Sequence, residues 1–477
     1  MDAAIQCGEG EIARFKLSLA LLLGIFAVSS GGGEGNAAPT DVPPWRVDPN
    51  PSTYVPPART DLLIRHATIL DGAGRKIVDG DILLRDRKVV ALGHGLTNPG
   101  RVKEVDAKGR WVTPGIIDVH SHDGTYVQPL TKIDHDAGDF GEDSEMNAAD
   151  EWIESGVNVQ DPAFSRALEH GVTMIQILPG SSPIFGGHSV IVRPIPANSV
   201  AGMKVPDAPM GFKMSCGENP KEEGAETKRG PTSRSGVVAF TRQALSDARD
   251  YLEQWNNYRL GRGPKPRRDL KKEALAGILA GDTRVHIHCY RADDLAIYLA
   301  MAREFNFHIT AFHHAVEAYK IPQLLHASGT CALVWGDWWG FKMEALDGVR
   351  ANAPLLDRAG VCVGMHSDSP EAGQRLNLEA AKAMAAGRRA GIDIAAERAI
   401  RWTTSVPAAI IGLDKKVGTL APGFGADVVL WSGDPFSVYS KADLVLIDGG
   451  IVFDRAKPHR DPVSDFELGR PTMDHRQ

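Results

Sequence analysis

Residues 61–110 alternate short apolar runs with turns, reading LLIRHATIL, DGAG, DILLRDRKVVALG and VKEVDAKGRWV. Asp71-Gly72 and Lys108-Gly109 separate strand-like segments, a pattern that predicts small antiparallel hairpins. ADVVLW, ADLVLIDG and IVFD, near the other end of the chain, have the same character. The middle differs. Apolar, β-branched runs (VTMIQIL, SVIVR, GFKMS, RVHIHCY, HITAFHH, TCALVW, VCVGMHSD) alternate with helix-like stretches at 241–258, 292–305 and 376–390. Strands alternating with helices imply a parallel sheet covered by helices. Roughly eight such strands suit a closed (β/α)8 barrel. The expected division is a barrel over 113–415, with 61–112 and 416–455 flanking it.

The first residues change the picture. Residues 17–28 (LSLALLLGIFAV) are apolar, Arg14 and Lys16 precede them, and 29–38 are rich in Gly, Ser and Ala. This is the layout of a secretory signal, although Asp2, Glu9 and Glu11 offset its basic flank. The expectation is a signal peptide over 1–38, a proline-rich linker over 39–60, a polar tail over 456–477, and a secreted or periplasmic protein. Beyond Cys7, the cysteines Cys216, Cys289, Cys331 and Cys362 are widely spaced and mostly lie in apolar runs. They read as buried thiols rather than a disulfide framework, which sits awkwardly with export.

Charge and composition exclude more than they assign. With 53 basic and 60 acidic residues the chain carries a formal charge of −7, so no overall basic field attracts a nucleic acid. No apolar run reaches the roughly 18 residues that a stable membrane span needs. The basic stretch 259–272 reads as a solvated loop and helix start.

The candidate chemistry lies at strand ends. In TPGIIDVHSH, a strand runs into His120 and His122, and residues two apart share a face. Later strands end at His288, at His314, and at Asp368 beside His366. Any one histidine is more often a core or loop residue. The ordered set directs imidazoles and a carboxylate into one barrel mouth, as a divalent metal site requires. By strand alternation, His286 lies deeper, His313 faces away from the mouth, and His366 shares the face of Asp368.

These segments resemble the metal-dependent amidohydrolase superfamily, and within it the imidazolonepropionase-like and prolidase-like hydrolases. The resemblance runs through TPGIIDVHSH, ILPGSSPIFGGHSVIV, MGFKMSCGENPK, HIHCYRADDL, AFHHAVEAYK, GMHSDS and VGTLAPGFGADVVLW. It implies a TIM-like barrel with a small composite β-sandwich built from the flanking segments. It also implies His120, His122, His288, His314 and Asp368 as ligands of one or two divalent ions, zinc foremost. In two-ion members the fourth strand supplies a bridging glutamate or carbamylated lysine. Glu218 and Lys213 both qualify, with Glu218 slightly favoured by its place at the strand's end.

The implied activity is hydrolysis of an amide, cyclic amide, N-acyl or dipeptidyl C–N bond in a small-molecule substrate. Water would be activated by the metal, with Asp368 as the proton carrier. A deaminase, or a metal-free barrel scaffold, is the alternative. Several residues are open between substrate contact and structure. Arg291 would hold a carboxylate or pair with Asp293 or Asp294. Glu317 and Tyr319 would line the pocket, or Glu317 would cap a helix. His188 sits on a Gly-rich loop that lacks the spacing of a phosphate cradle. Trp335, Trp338 and Trp339 would form an aromatic wall or a packing cluster. Self-association through barrel helices is a further expectation.

Overall fold

The computed structural model describes residues 41–457 except Arg101, Val127, Pro129 and Leu130. The expected signal segment and nearly all of the tail lie outside the described residues.

Both flanks enter one eight-stranded sheet. Leu62–Leu70 pairs antiparallel with Lys76–Arg85, which pairs with Lys88–Gly93. From the other end of the chain, Val428–Trp431 pairs antiparallel with Trp111–Pro114, and Ala442–Ile447 and Gly450–Asp454 follow outward. The period-two alternation explains how this sheet serves two cores. Leu62, Ile64, Ile82, Leu84, Val428 and Leu430 form a core of their own. Val429, Trp431, Val445 and Ile447 face the other way and join the main core.

In the middle, Gly211–Ser215, Arg284–Cys289, Ile309–His314, Cys331–Val334 and Val363–Met365 run parallel in that order. Helices cover them, including Arg234–Arg259, Ala292–Phe305 and Leu376–Arg389. Ser233 and Asp269 start helices by accepting from the N–H groups of Gly236 and Lys272, the usual task of an N-cap oxygen. A separate three-stranded sheet holds Ile116–Ser121, Val172–Ile177 and Val190–Val192.

The expected closed ring of ladders is therefore absent among the described residues: the strands form a six-stranded and a three-stranded sheet. One seam falls where Val363–Met365 is only three residues long. There the first strand meets the last through single bonds, Asp368 N–H to His120 O at 2.9 Å and Ser367 Oγ to His120 O at 3.1 Å. At the other seam the chain crosses between sheets at Ser189. Phe185–His188 pairs with one sheet and Val190–Val192 with the other.

The thiol assignment is corrected. Cys216 is bonded to Cys289 and Cys331 to Cys362, with Cα–Cα distances of 5.2 and 4.5 Å. Parallel register is the cause. Ser215 lies opposite His288, and Ala332 opposite Val363, so each cysteine meets its neighbour on the adjacent strand. No described helix is long and apolar enough to cross a membrane.

Candidate metal centre

The strand ends bring the predicted histidines together. Asp368 Oδ1 lies 3.1 Å from His120 Nε2 and 3.4 Å from His122 Nε2. The two imidazole Nε2 atoms are 3.3 Å apart. Among the described residues two groups have the geometry to hold an ion, His120/His122/Asp368 and His120/His314/His366; they share His120, and neither includes His288. His288 stands against His314 with ring centroids 4.4 Å apart. All these histidines are buried, while the Asp368 side chain is 23% exposed at the mouth.

Burial favours the neutral ring, holding His120, His288 and His314 well below the ordinary imidazole value and His366 at about 3. Neutral rings are the form that ligates a cation. Burial opposes ionisation of Asp368, but the surrounding imidazoles outweigh it and hold the carboxyl well below its usual range. His122 is oriented by a 2.9 Å bond from Nδ1 to the Leu178 carbonyl, leaving Nε2 for the centre. Among the described residues, both ring nitrogens of His288 and of His314, and Nδ1 of His366, have no hydrogen-bond partner. Buried polar atoms are ordinarily paired, so this concentration of orphans fits a divalent ion.

His313 does not face away. Its Nδ1 lies 2.8 Å from His120 Nδ1, and both rings are fully buried. His313 lies opposite His288 in the parallel register and so shares its face, while the left-handed backbone at His314 (φ 69°) and Ala315 (φ 40°) breaks the alternation and turns the next ring inward as well. Left-handed backbone at non-glycine residues costs of order 1–3 kcal/mol and clusters at functional sites. Asp368 shares it, at φ 60°. His286 lies deeper, as alternation requires, bonded to His313 at 2.9 Å.

Lys213 and Glu218 separate clearly. Lys213 is fully buried, and burial lowers it to about 8. Its Nζ donates to Pro179 O at 3.1 Å and to Ser181 Oγ at 3.2 Å. Its charge acts on His120, His288 and His366. Glu218 opens the helix Glu218–Thr227, and its Oε2 accepts from the Glu344 N–H at 3.2 Å.

The candidate substrate contacts fall elsewhere. Arg291 forks onto Asp293 at a helix start. Glu317 caps that same helix, accepting from Ala292 N–H at 2.9 Å, and pairs with Lys320. Tyr319 donates to Asp347 O at 3.0 Å. His188 stacks on Trp152 at 4.1 Å and lines a cavity of about 980 Å³ to which none of the clustered histidines contributes.

The aromatic wall forms from a different set. Trp335 stacks on His314 at 4.4 Å and on Trp338 at 4.9 Å, and Tyr290 also stacks on His314, at 5.0 Å. Phe341, 56% exposed, extends the wall outward, while Trp339 instead lies under Arg350. Lys342 Nζ sits 4.0 Å from the Tyr290 ring and bonds to Asn219 Oδ1. Phe341 and Lys342 had no signal in the sequence because only the tertiary fold of the loop after Cys331–Val334 brings them to the histidines, whereas Tyr290, two residues after His288, could have been found from its place at the strand's end.

Strand-end imidazoles and a carboxylate within a helix-covered α/β scaffold define a class of metal-dependent enzymes. Residues 111–455 match the model of the amidohydrolase family. The chain belongs to that family. An amidohydrolase of Thermotoga maritima MSB8 superposes with a TM-score of 0.76 at 30% identity, covering 83% of this chain and 100% of the other, and the shared fold is of the TIM-barrel type. Amidohydrolase TasK of Hapsidospora irregularis is 33% identical over 386 residues, 74% of this chain but only 38% of TasK's length. A 5-methylthioadenosine/S-adenosylhomocysteine deaminase of Desulforudis audaxviator is 23% identical over 436 residues, 82% of this chain and 93% of the other.

Proposed function

We propose that this protein hydrolyses a C–N bond in a small amide, N-acyl or dipeptidyl substrate, using zinc held by His120, His122, His288, His314 and Asp368. The observation that carries it is the orphaned state of His288 and His314, two adjacent buried rings without hydrogen-bond partners among the described residues, beside a centre that gathers His120, His122 and Asp368. Zinc in such a set supplies Lewis acidity and a nucleophile at neutral pH.

The chain's own residues do the rest. Asp368, ionised and at the mouth, takes a proton from the attacking water and returns it to the leaving nitrogen. Trp335, Trp338 and Phe341 exclude water on one side and offer an apolar surface to the substrate. A cavity of about 630 Å³ begins at Ser369, next to Asp368, and is lined by Trp338, Glu371 and Arg375. In a two-ion form, Lys213 rather than Glu218 is the bridging group. Its full burial on the strand beside His286 and His288 supports this, whereas Glu218 opens the following helix.

The two disulfides support export to an oxidising compartment, with residues 1–38 as the signal. We further infer that the two sheets act as one barrel over 113–415 and that the flanking sheet is a composite sandwich. The deaminase relative motivates one alternative, removal of an amino group as ammonia. The test is elemental analysis of purified protein with a screen of N-acyl amino acids, dipeptides, cyclic amides and aminopurine nucleosides, with and without chelator. Chelator-sensitive release of a carboxylate product is expected. Ammonia release from the nucleosides alone would move the assignment to deamination, and no turnover with no bound ion would reject both.

A further inference from the structure

Beneath His120 runs a continuous file of buried polar side chains, one from each of four strands. His120 Nδ1 meets His313 Nδ1 at 2.8 Å, His313 Nε2 meets His286 Nδ1 at 2.9 Å, and His286 Nε2 meets Gln176 Nε2 at 3.2 Å. Gln176 Nε2 also donates to Ser189 Oγ at 3.0 Å, and its Oε1 has no partner among the described residues. All four residues are no more than 1% exposed.

A neutral imidazole donates from one nitrogen and accepts at the other, so this file has two self-consistent polarities. In the first, the Gln176 amide N–H points at His286 Nε2. Each ring then donates upward, and His120 carries its proton on Nε2, toward Asp368 Oδ1. Either way one Gln176 amide atom lacks a partner among the described residues, Oε1 here and Nε2 when the amide is turned, but only this arrangement blocks His120 Nε2 as a ligand. In the second, the Gln176 amide is turned and Oε1 accepts from His286 Nε2–H. His286 Nδ1 then accepts from His313 Nε2–H, and His313 Nδ1 accepts from His120 Nδ1–H. The His120 Nε2 lone pair is free beside His122 and Asp368. Both polarities hold three ring protons. Conversion releases one proton at His120 Nε2 and takes one up at His286 Nε2, while each proton between crosses its own hydrogen bond.

We propose that Gln176, His286 and His313 are positioning residues that order the His120 tautomer, with the Gln176 amide selecting the polarity in which His120 can bind the ion. The inference rests on the assignment of His120 as a ligand under Proposed function. A hydrogen bond that fixes the far nitrogen of a ligating histidine typically changes metal affinity 10–100-fold, roughly, when removed.

Zinc affinity is measured by competition with a chromophoric chelator on wild type, Gln176→Met and Gln176→Glu, beside nitrogen-15 spectra of histidine-labelled wild type with and without zinc. Gln176→Met, which has no strong acceptor, is expected to weaken zinc binding about 10- to 100-fold. Gln176→Glu, an acceptor at both oxygens when ionised, is expected to bind at least as tightly as wild type. A packing role alone predicts that both weaken, and Glu more, because it buries a charge. The zinc-loaded spectrum should show His286 and His313 protonated on Nε2 and His120 on Nδ1. Equal affinities for all three proteins, or a zinc-loaded spectrum with His313 protonated on Nδ1, would overturn the proposal while leaving the metal site standing. No zinc binding by wild type would overturn both. The wild-type spectra decide the matter even if a variant fails to fold.

Discussion

Two groups of buried polar side chains share the interior, and they are built on opposite terms. At the junction with the flanking sheet, Arg193 donates to Asp427 at 2.6 Å, to Asp448 at 3.1 Å and to the Thr173 carbonyl at 3.1 Å. The Tyr54 hydroxyl donates to Asp448 at 2.7 Å, and the second Asp427 oxygen accepts from the Asp448 N–H at 2.9 Å. Donors there meet acceptors supplied by the chain itself. At the strand ends, His288 and His314 are as deeply buried and have no such partners among the described residues. A buried network that satisfies itself holds parts of the fold together. One that does not is arranged for something the chain does not contain.

That contrast breaks first at Asp368. Asp368→Asn keeps the shape and removes the proton carrier, so turnover should fall by about 10² to 10⁴ with the circular-dichroism spectrum and melting temperature retained. Near-normal turnover would remove Asp368 from the chemistry. On the self-satisfied side, Arg193→Met leaves Asp427 buried without its cation. Breaking a buried pair costs about 3–5 kcal/mol, read as a lower denaturant midpoint, whereas the folded fraction should still bind zinc.

A third test uses His188, which is buried outside the cluster. Burial lowers it to about 4, against roughly 6.5 when exposed. Below about pH 6.5 the unfolded chain therefore binds a proton that the folded chain refuses. Its contribution is complete above that pH and is lost as pH falls toward 4, by up to about 1.4 kcal/mol per pH unit. Denaturation at pH 7.5 and pH 5 should show a smaller acid loss in His188→Phe than in wild type; parallel losses would contradict the assignment. The smallest effect is expected at His288→Phe in metal-free protein. Replacing orphaned polar atoms with an apolar ring should leave stability nearly unchanged or slightly higher, while zinc affinity drops. A loss as large as that of Arg193→Met would mean that His288 is structural.

The legible parts of this fold were those written in local periodicity. Alternation along Ile116–Ser121 and Arg284–Cys289 puts His120 above Asp118, and His288 above His286, and hairpin patterning marked the flanks that share a sheet. What alternation misplaced was His313, because His314, the ring expected to face the mouth, is itself left-handed, and the register sets His313 opposite His288. The disulfides were hidden by register between strands 73 and 31 residues apart in sequence. The open seams reflect the brevity of Val363–Met365 and the crossing at Ser189, neither of which hydrophobic pattern encodes. Arg291 had two acceptable partners in sequence, and the nearer, Asp293, took it. Lys342 carried no local signal, since its place over Tyr290 depends on how residues 335–350 fold back across the mouth.

The central claim is that the unpartnered histidines form an ion site. Zinc content per chain, measured by elemental analysis after chelation, reloading and removal of free metal, tests it most directly in wild type and in His120→Ala. One or two ions per wild-type chain and none in His120→Ala is the predicted result. A folded wild-type chain that retains no ion, or a His120→Ala chain that retains as much as wild type, would contradict it.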